Sequence, residues 1–278
     1  MTYNDLVKKA KDIILKHDLE PNVAKLFILK YSNLSHSDII LSLNSEVDQS
    51  IVDKVMWAVH EYAIKKRPPQ YIINEQDFYG RTFYVDENVF IPRWETEELV
   101  SHVIDYINEY YNDKTIDILD IGTGSGCISI TLAKETNKSN IIAIDISEKA
   151  LTIAQKNSEN HEANVRFIAS DLCSNIQGKF DIIVSNPPYI PNKGFIGTTV
   201  DKEPALALYG GDLGIDIYKR IFKECRAHLN DKFLVALEHG RDQSHLIKAL
   251  ALKYFDDITI THIKDSSGKD RFTFIERK

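Results

Sequence analysis

Apolar residues recur at helical spacing through the first part of the chain. Between about residues 2 and 66 they recur about one or two helical turns apart, as in Leu6, Ile13 and Ile14, which places them on one face of an α-helix. The pair Pro68-Pro69 interrupts this pattern, because proline lacks the backbone N–H that continues a helix. The pattern predicts a small N-terminal helical domain over residues 1–70.

Residues 71–92 have a different pattern, in which aromatic and polar side chains alternate around Tyr79-Gly80-Arg81. β-forming residues such as Phe83 and Val85 follow the glycine. A glycine between two short runs of β-formers is typical of a hairpin turn. We therefore predict a β-hairpin linker over residues 71–92, and a helix that begins after Pro92.

Short β-branched runs alternate with helical stretches over the rest of the chain. Seven such runs are expected to be strands: residues 118–121, 141–146, 165–169, 181–185, 233–237, 258–263 and 271–275. This alternation predicts βαβ units and a mainly parallel sheet with helices on both faces. The link between the last two runs is too short for a crossover, so the last strand should be antiparallel. Residues 93–278 are thus expected to form a Rossmann-like α/β domain with a mostly parallel seven-stranded sheet.

The first strand of this domain runs into a glycine-rich loop. The loop consists of Gly122, Thr123, Gly124, Ser125 and Gly126. Glycines at alternate positions let a backbone approach a ligand closely at the carboxyl end of a strand. The third glycine comes one residue too early for the dinucleotide fingerprint. The loop is a candidate nucleoside site, and a purely structural turn is the alternative.

Two later strands also end in polar residues. Asp145 ends the second strand at a distance from the glycine loop that suits a carboxylate accepting hydrogen bonds from a ribose diol. A cap on the helix near Ser147 is the alternative. After the third strand, Asp171 could accept from an adenine amino group while Leu172 packs on the ring, and a helix cap fits Asp171 equally well. These residues are expected to share one edge of the sheet with the glycine loop.

The fourth strand ends in Asn186, Pro187, Pro188 and Tyr189. Two prolines fix φ and supply no N–H, so they hold a rigid loop in which the Asn186 side chain and the Pro187 carbonyl can face one point. Those oxygens can accept hydrogen bonds from an NH2 group, and Tyr189 offers an aromatic face to a planar group. The loop is a candidate acceptor site for an amide or amine nitrogen, and an ordinary turn is the alternative.

Together these residues resemble the glutamine methyltransferases of peptide chain release factors, a family of Rossmann-like S-adenosylmethionine-dependent methyltransferases. The resemblance covers essentially the whole chain. Beyond the helical unit it rests on residues 90–97, 122–126, 186–189, 203–206, 210–214 and 238–243. It implies a class I methyltransferase fold, S-adenosylmethionine as cofactor and S-adenosylhomocysteine as product. It also implies that the acceptor is the glutamine of the Gly-Gly-Gln tripeptide in class 1 release factors.

The resemblance also implies roles for single residues. Residues 122–126 and Asp145 would hold the methionine and ribose parts of the cofactor, and Asp171 with Leu172 would flank its adenine. Asn186 would touch the cofactor as well as the acceptor, and residues 186–189 would bind the glutamine, with Asn186, Pro187 and Tyr189 as catalytic residues. The stretch 192–199 would close over the substrate, and the helical domain would help to hold the release factor.

Composition and net charge limit the binding partners and the cellular compartment that we expect for this protein. The net charge of −7 and the pI of about 5.7 disfavour stable binding of nucleic acid, which depends on neutralising phosphates. No apolar run is long enough to span a membrane, and the N-terminus lacks a secretion signal. Cys127, Cys173 and Cys225 have no paired or metal-ligand spacing, so we expect reduced thiols, no metal and a cytoplasmic protein.

Parts of the sequence are compatible with three other functions. Asn-Pro-Pro-Tyr also occurs in amino-methylating DNA and RNA enzymes, so an N6-adenine methyltransferase is the alternative enzyme, although the sequence supplies neither a basic groove nor a target-recognition domain. A nucleoside-binding, translation-associated protein without turnover is a second alternative. A nicotinamide dehydrogenase is disfavoured by the displaced third glycine.

Overall fold

The computed structural model describes residues 1–111, 114–192, 194 and 200–278. These residues form two compact units. The first unit holds residues 1–75 together with the 3₁₀ turn Val200–Lys202. The second unit holds the remaining described residues, from Gln76 to Lys278.

The first unit is helical. Its helices are α1 (Tyr3–Leu15), α2 (Val23–Ser32), α3 (His36–Leu41), α4 (Gln49–Ala63) and α5 (Pro69–Ile73). Leu6, Phe27 and Val55, which lie on α1, α2 and α4, are buried in one apolar core. The helical spacing of apolar residues therefore identified the side chains that these helices bury against one another.

The proline pair begins a helix as well as ending one. Pro68 is the N-cap of α5 and Pro69 is its first residue, a position where the missing N–H would have no helical partner in any case. The expectation that residue 71 begins the hairpin is therefore wrong, since Tyr71, Ile72 and Ile73 lie in α5. The proposed domain boundary at residue 70 stays a prediction.

The predicted hairpin is confirmed over a shorter range. Strands β1 (Glu75–Phe78) and β2 (Arg81–Tyr84) form a two-stranded sheet. The two residues between them, Tyr79 and Gly80, have φ values of 51° and 70°. A two-residue turn with both φ values positive matches the twist of the strands it joins.

The second unit contains a seven-stranded sheet within the described residues. Its strands are β3 (Ile116–Ile121), β4 (Ser139–Asp145), β5 (Val165–Ala169), β6 (Phe180–Ser185), β7 (Leu229–Glu238), β8 (Thr259–Lys264) and β9 (Asp270–Arg277). Their order is β5-β4-β3-β6-β7-β9-β8. Strands β3 to β7 pair in parallel, and β9 is antiparallel to both β7 and β8. The predicted α/β fold, with its antiparallel last strand, is confirmed.

Helices cover both faces of this sheet. They are α6 (Trp94–Tyr110), α7 (Cys127–Glu135), α8 (Glu148–Asn160), α9 (Ala205–Leu208), α10 (Asp216–Cys225) and α11 (Ser244–Tyr254). Successive residues of β3 serve opposite faces: Ile118 packs in the cluster that contains Val100 of α6, and Leu119 packs in the cluster that contains Phe222 of α10. This two-sided burial explains why the strands are apolar without a break.

Candidate active site

The loops that follow four parallel strands begin at one edge of the sheet. Ile121 at the end of β3 pairs with Ser185 at the end of β6, and Asp145 of β4 pairs with Ala169 of β5. The Ser185 hydroxyl also donates to the carbonyl oxygen of Ile121 at 2.7 Å. The glycine loop and the Asn-Pro-Pro-Tyr loop therefore start side by side, at the edge where sheets of this kind bind ligands.

The glycine loop turns through left-handed backbone conformations. Gly122, Gly124 and Gly126 have φ values of 72°, 56° and 83°, a region that residues with a Cβ rarely adopt. A Cβ built on Gly126 would lie 2.8 Å from Cδ1 of Ile130, whereas one on Gly122 or Gly124 meets no atom within 4 Å. The same Cβ would lie 3.2 Å from Cβ of Ala154 in α8. Gly126 thus permits the close approach of α8, and the other two glycines leave their backbone open to a ligand.

Beneath this loop lies a buried carboxylate to which the sequence pattern gave no role. The Thr123 hydroxyl donates to Oδ2 of Asp120 at 2.6 Å and lies 2.9 Å from the Ser129 hydroxyl. Oδ1 of Asp120 and the Ser125 hydroxyl are buried with no hydrogen-bond partner among the described residues. Burial raises the pKa of Asp120 to about 6. Unpartnered buried polar atoms are costly, so a polar or cationic ligand group at this loop would fit them.

Asp145 ties the glycine loop to the end of β4. Its two carboxylate oxygens each accept one backbone N–H, from Gly124 and from Ser147, both at 2.9 Å. The cap of α8 is Ser147, whose side chain accepts from the N–H of Ala150. Burial raises the pKa of Asp145. Each carboxylate oxygen has a further lone pair for a ligand hydroxyl, and the next residue, Ile146, is 53% exposed although it is apolar.

Asp171 and Leu172 lie in different environments after β5. The Asp171 carboxylate is exposed and forms an ion pair at 3.1 Å with Nη2 of Arg220 on α10. Leu172 is buried in the apolar cluster beneath α10 and has a φ of 50°. A left-handed leucine is uncommon, and such residues concentrate at functional loops. Their predicted contact with adenine stays a prediction.

The cysteine expectation is wrong for two of the three residues. Cys173, directly after Leu172, forms a disulfide with Cys225 at the end of α10, and their Cα atoms are 5.4 Å apart. These residues are separated by 52 positions, so spacing along the chain did not reveal the pair. Cys127 is a free, buried thiol, and burial raises its pKa to about 12.

The Asn-Pro-Pro-Tyr loop is held by a chain of side-chain hydrogen bonds. Nδ2 of Asn186 donates to the Thr96 hydroxyl at 3.0 Å, and this hydroxyl donates to Oε2 of Glu238 at 2.7 Å. Thr96 and Glu238 are both 2% exposed, and burial raises the pKa of Glu238 to about 7. Pro187 is buried and Pro188 is half-buried. The sequence motif alone did not indicate that Thr96 and Glu238 support Asn186.

A second amide fixes the far end of this loop. Nε2 of Gln243 donates to the carbonyl oxygens of Tyr189 at 2.9 Å and Leu213 at 3.0 Å, and its Oε1 accepts from the N–H of Gly240 at 2.8 Å. A Cβ on Gly214, whose φ is 68°, would overlap the Tyr189 carbonyl oxygen. Gln243 thus joins the backbone segments that contain Tyr189, Leu213 and Gly240. Burial raises the pKa of the Tyr189 phenol, which is therefore neutral at physiological pH.

Arg93 binds a protein carboxylate. Nη2 of Arg93 pairs with Oε1 of the buried Glu203, whose Oε2 accepts from the N–H of Ile91 at 3.0 Å. This pair fastens the segment before α6 to the segment before α9.

Two histidines of the second unit, His239 and His262, have structural contacts, whereas His60 is exposed in the first unit. Nδ1 of the buried His239 lies 2.9 Å from the carbonyl oxygen of Gly240, and its Nε2 lies 2.9 Å from the Thr273 hydroxyl, which is also 2.9 Å from Nδ1 of His262. Burial lowers the pKa of both His239 and His262. Both rings are therefore neutral at pH 7. His239 directly follows β7 and His262 lies on β8, and both contact the Thr273 hydroxyl of β9.

The segment expected to close over a substrate, residues 192–199, lies outside the described residues except for Asn192 and Gly194. The N–H of Asn192 donates to the carbonyl oxygen of Gly211 at 2.9 Å. Within the described residues, no group of His, Cys, Asp or Glu side chains has the arrangement of a metal site. None of their helices has the length and apolar character needed to cross a membrane.

The strand order, the glycine loop and the neighbouring Asn-Pro-Pro-Tyr loop define a class I S-adenosylmethionine-dependent methyltransferase. Residues 104–233 match the family described as "Methyltransferase small domain". The fold is also that of the T. thermophilus 16S rRNA N2 G1207 methyltransferase, solved in complex with AdoMet and guanosine. That comparison has a TM-score of 0.54 at 16% identity and covers 73% of this chain and 50% of the other.

Relatives along the whole chain define the family more closely. The release factor glutamine methyltransferase of Bacillus cereus is 33% identical and covers 99% of both chains. The protein of the same description from Bacillus subtilis is 36% identical, over 97% of this chain and 96% of its own. The chain belongs to the release factor glutamine methyltransferase family.

Proposed function

We propose that this enzyme transfers a methyl group from S-adenosylmethionine to the side-chain amide nitrogen, N5, of the glutamine in the Gly-Gly-Gln tripeptide of class 1 peptide chain release factors. The observation that carries the proposal is the pairing of Ile121 with Ser185. Because of this pairing, the glycine loop and the Asn-Pro-Pro-Tyr loop (the acceptor loop) begin side by side. A methyl donor bound to the glycine loop would therefore lie beside an amide bound to the acceptor loop. Membership of the family supplies the identity of the acceptor.

The glycine loop suits the donor. When bound, S-adenosylmethionine supplies an electrophilic methyl group on a positively charged sulfur. Gly122 to Gly126 present backbone to the methionine part, and the unpartnered Oδ1 of Asp120 suits its ammonium group. The oxygens of Asp145 accept from the ribose diol. The exposed side chain of Ile146 and the segment Asp171–Leu172 flank the adenine.

The acceptor loop suits a primary amide. An amide nitrogen is a weak nucleophile because its lone pair is delocalised into the carbonyl, so holding it in line with the methyl group is the main service of the site. Oδ1 of Asn186 and the carbonyl oxygen of Pro187 accept its two N–H groups, and the Tyr189 ring stacks on its plane. These oxygens also stabilise the positive charge that develops on nitrogen in the transition state.

The partner and the compartment follow from the acceptor. The partner is a folded class 1 release factor, and the helical unit of residues 1–75 contributes to holding it. Translation termination takes place in the cytoplasm, which is where the enzyme would act. The net charge of −7 opposes stable binding to nucleic acid, and no feature of the residues that the structure describes favours the N6-adenine alternative.

The direct test is transfer of labelled methyl from S-adenosylmethionine to a purified class 1 release factor. A release factor with Gln→Ala in its tripeptide and a duplex DNA serve as parallel acceptors. Label on the intact factor alone is the expected result. Label on the Gln→Ala factor would move the acceptor to another residue, and label on DNA would replace the proposal with the adenine alternative.

Asp145→Ala should weaken cofactor binding by about 10- to 100-fold, because two hydrogen bonds to a charged acceptor are lost. The measurement is the Kd of S-adenosylmethionine by calorimetry. Asp117→Ala is the matched control, since Asp117 lies in β3 near its start, away from the carboxyl edge, and its Kd should be that of the unaltered enzyme. A Kd for Asp145→Ala within about twofold of the unaltered value would remove Asp145 from the cofactor site.

A further inference from the structure

We propose that Thr96 and Glu238 are positioning residues that fix the orientation of the Asn186 amide, so that its oxygen and not its NH2 group faces the substrate. This role rests on the proposed function, because it assigns a purpose to the acceptor site. Neither residue belongs to the acceptor motif. Thr96 lies 90 positions before Asn186 in the chain, and Glu238 lies 142 positions after Thr96.

The direction of the two hydrogen bonds follows from the chemistry of Glu238, the residue at the end of the hydrogen-bonded chain. A carboxylate only accepts hydrogen bonds, so the Thr96 hydroxyl must give its proton to Oε2 of Glu238 at 2.7 Å. The Thr96 oxygen is then left as an acceptor toward Asn186. It takes an N–H of Nδ2 at 3.0 Å, which turns Oδ1 of Asn186 to the other side of its planar amide.

The reverse orientation would be unfavourable. If Oδ1 of Asn186 faced Thr96, the hydroxyl would have to donate to it, and the Glu238 carboxylate would lose its Thr96 donor while 2% exposed. A buried charge that loses a hydrogen bond is destabilised by more than a neutral group. The Asn186 NH2 group would also face the NH2 group of the substrate, and two donors cannot bond each other. The buried carboxylate therefore selects the orientation that binds an amide NH2.

The selection needs Glu238 in its ionised form, which predominates above pH 7. Burial, the largest influence, and Glu95 raise the pKa of Glu238, whereas the Thr96 hydroxyl, Arg271 and the Tyr189 phenol lower it, and the result is a pKa of about 7. The other ionisable neighbours, Cys127 and Tyr218, are neutral at this pH because burial raises the pKa of each.

The hydrogen bonds from Asn186 to Thr96 and from Thr96 to Glu238 are here called the relay. Thr96→Val tests the relay, because valine has the shape of threonine without its hydroxyl. We expect kcat for a release factor to fall by about 10- to 100-fold, in the range for loss of an aligned transition-state hydrogen bond. The KM should change by less than about threefold, because most of a protein substrate binds elsewhere. Thr96→Ser, which keeps the hydroxyl, should restore most of kcat. Thr131→Val is the matched control, since Thr131 is buried in α7 and its hydroxyl has no partner among the described residues.

A double variant separates positioning from general stability. In an Asn186→Ala background the Thr96→Val change should have little further effect on kcat, because a residue that acts through Asn186 has nothing left to orient. A purely structural role would give independent losses that multiply. Multiplying losses, or a kcat loss that serine does not rescue, would overturn the proposal.

The side-chain amide signals of protein labelled with ¹⁵N-asparagine test the relay without any substrate. The Asn186 signal, identified by its absence in Asn186→Ala, should be slow to exchange with solvent in the unaltered and Thr96→Ser proteins and fast in Thr96→Val. Unchanged exchange in Thr96→Val would refute the relay. If the unaltered enzyme methylated no release factor, the proposed function would fail, and these signals would still decide whether Thr96 orients Asn186.

Discussion

Asn186→Ala should lower methyl transfer to a class 1 release factor by about 100-fold or more, the loss expected when a preorganised hydrogen-bonding group of a transition state is removed. Oδ1 of Asn186 is the side-chain acceptor of the proposed site, and alanine leaves only the Pro187 carbonyl oxygen. Cofactor affinity should fall by no more than about tenfold, because the glycine loop and Asp145 keep their contacts. Single-turnover transfer of labelled methyl and the Kd of S-adenosylmethionine are the two measurements.

The matched control is Asn140→Ala. Asn140 lies at the start of β4 and donates to Asp117 at 3.0 Å, away from the carboxyl ends of the strands, so its removal should leave the transfer rate unchanged. An Asn186→Ala enzyme with a transfer rate within about threefold of the unaltered one would show that the acceptor amide is held by other groups.

Gly214→Ala should destabilise the protein by about 3 kcal/mol and remove most of its activity. Two costs add: a left-handed residue with a Cβ costs about 1 to 2 kcal/mol, and an extra methyl group in a packed site costs about 1 to 3 kcal/mol. The methyl group would overlap the Tyr189 carbonyl oxygen and lie 2.6 Å from Nε2 of Gln243. It would therefore displace the Asn-Pro-Pro-Tyr loop itself.

Gly268→Ala separates the two costs. Gly268 has a φ of 78°, and a Cβ there meets no atom within 4 Å, so this variant should lose only the conformational cost, about 1 to 2 kcal/mol, and keep its activity. Urea unfolding and methyl transfer measure both variants. Equal losses of stability in the two variants would mean that the contact between Gly214 and Tyr189 contributes nothing.

Local sequence patterns determined the fold class and the two loops of the site. The alternation of β-branched and helical segments predicts the parallel sheet, because burial on both faces requires continuous apolar strands. Gly122, Gly124 and Asn186 could be selected without the structure, because backbone freedom and side-chain chemistry belong to the residues themselves. Their common edge follows from the parallel strands, since the carboxyl ends of parallel strands meet at one edge.

Tertiary structure decided which distant side chains meet. The bonds from Asn186 to Thr96 and onward to Glu238 join α6, the end of β6 and the end of β7. The Arg93–Glu203 pair and the Cys173–Cys225 disulfide likewise join segments far apart in the chain. Helical and strand periodicity reports the burial of a residue in its own element. It does not report which side chain of another element that residue contacts, because this depends on how the packed helices and strands are placed against one another.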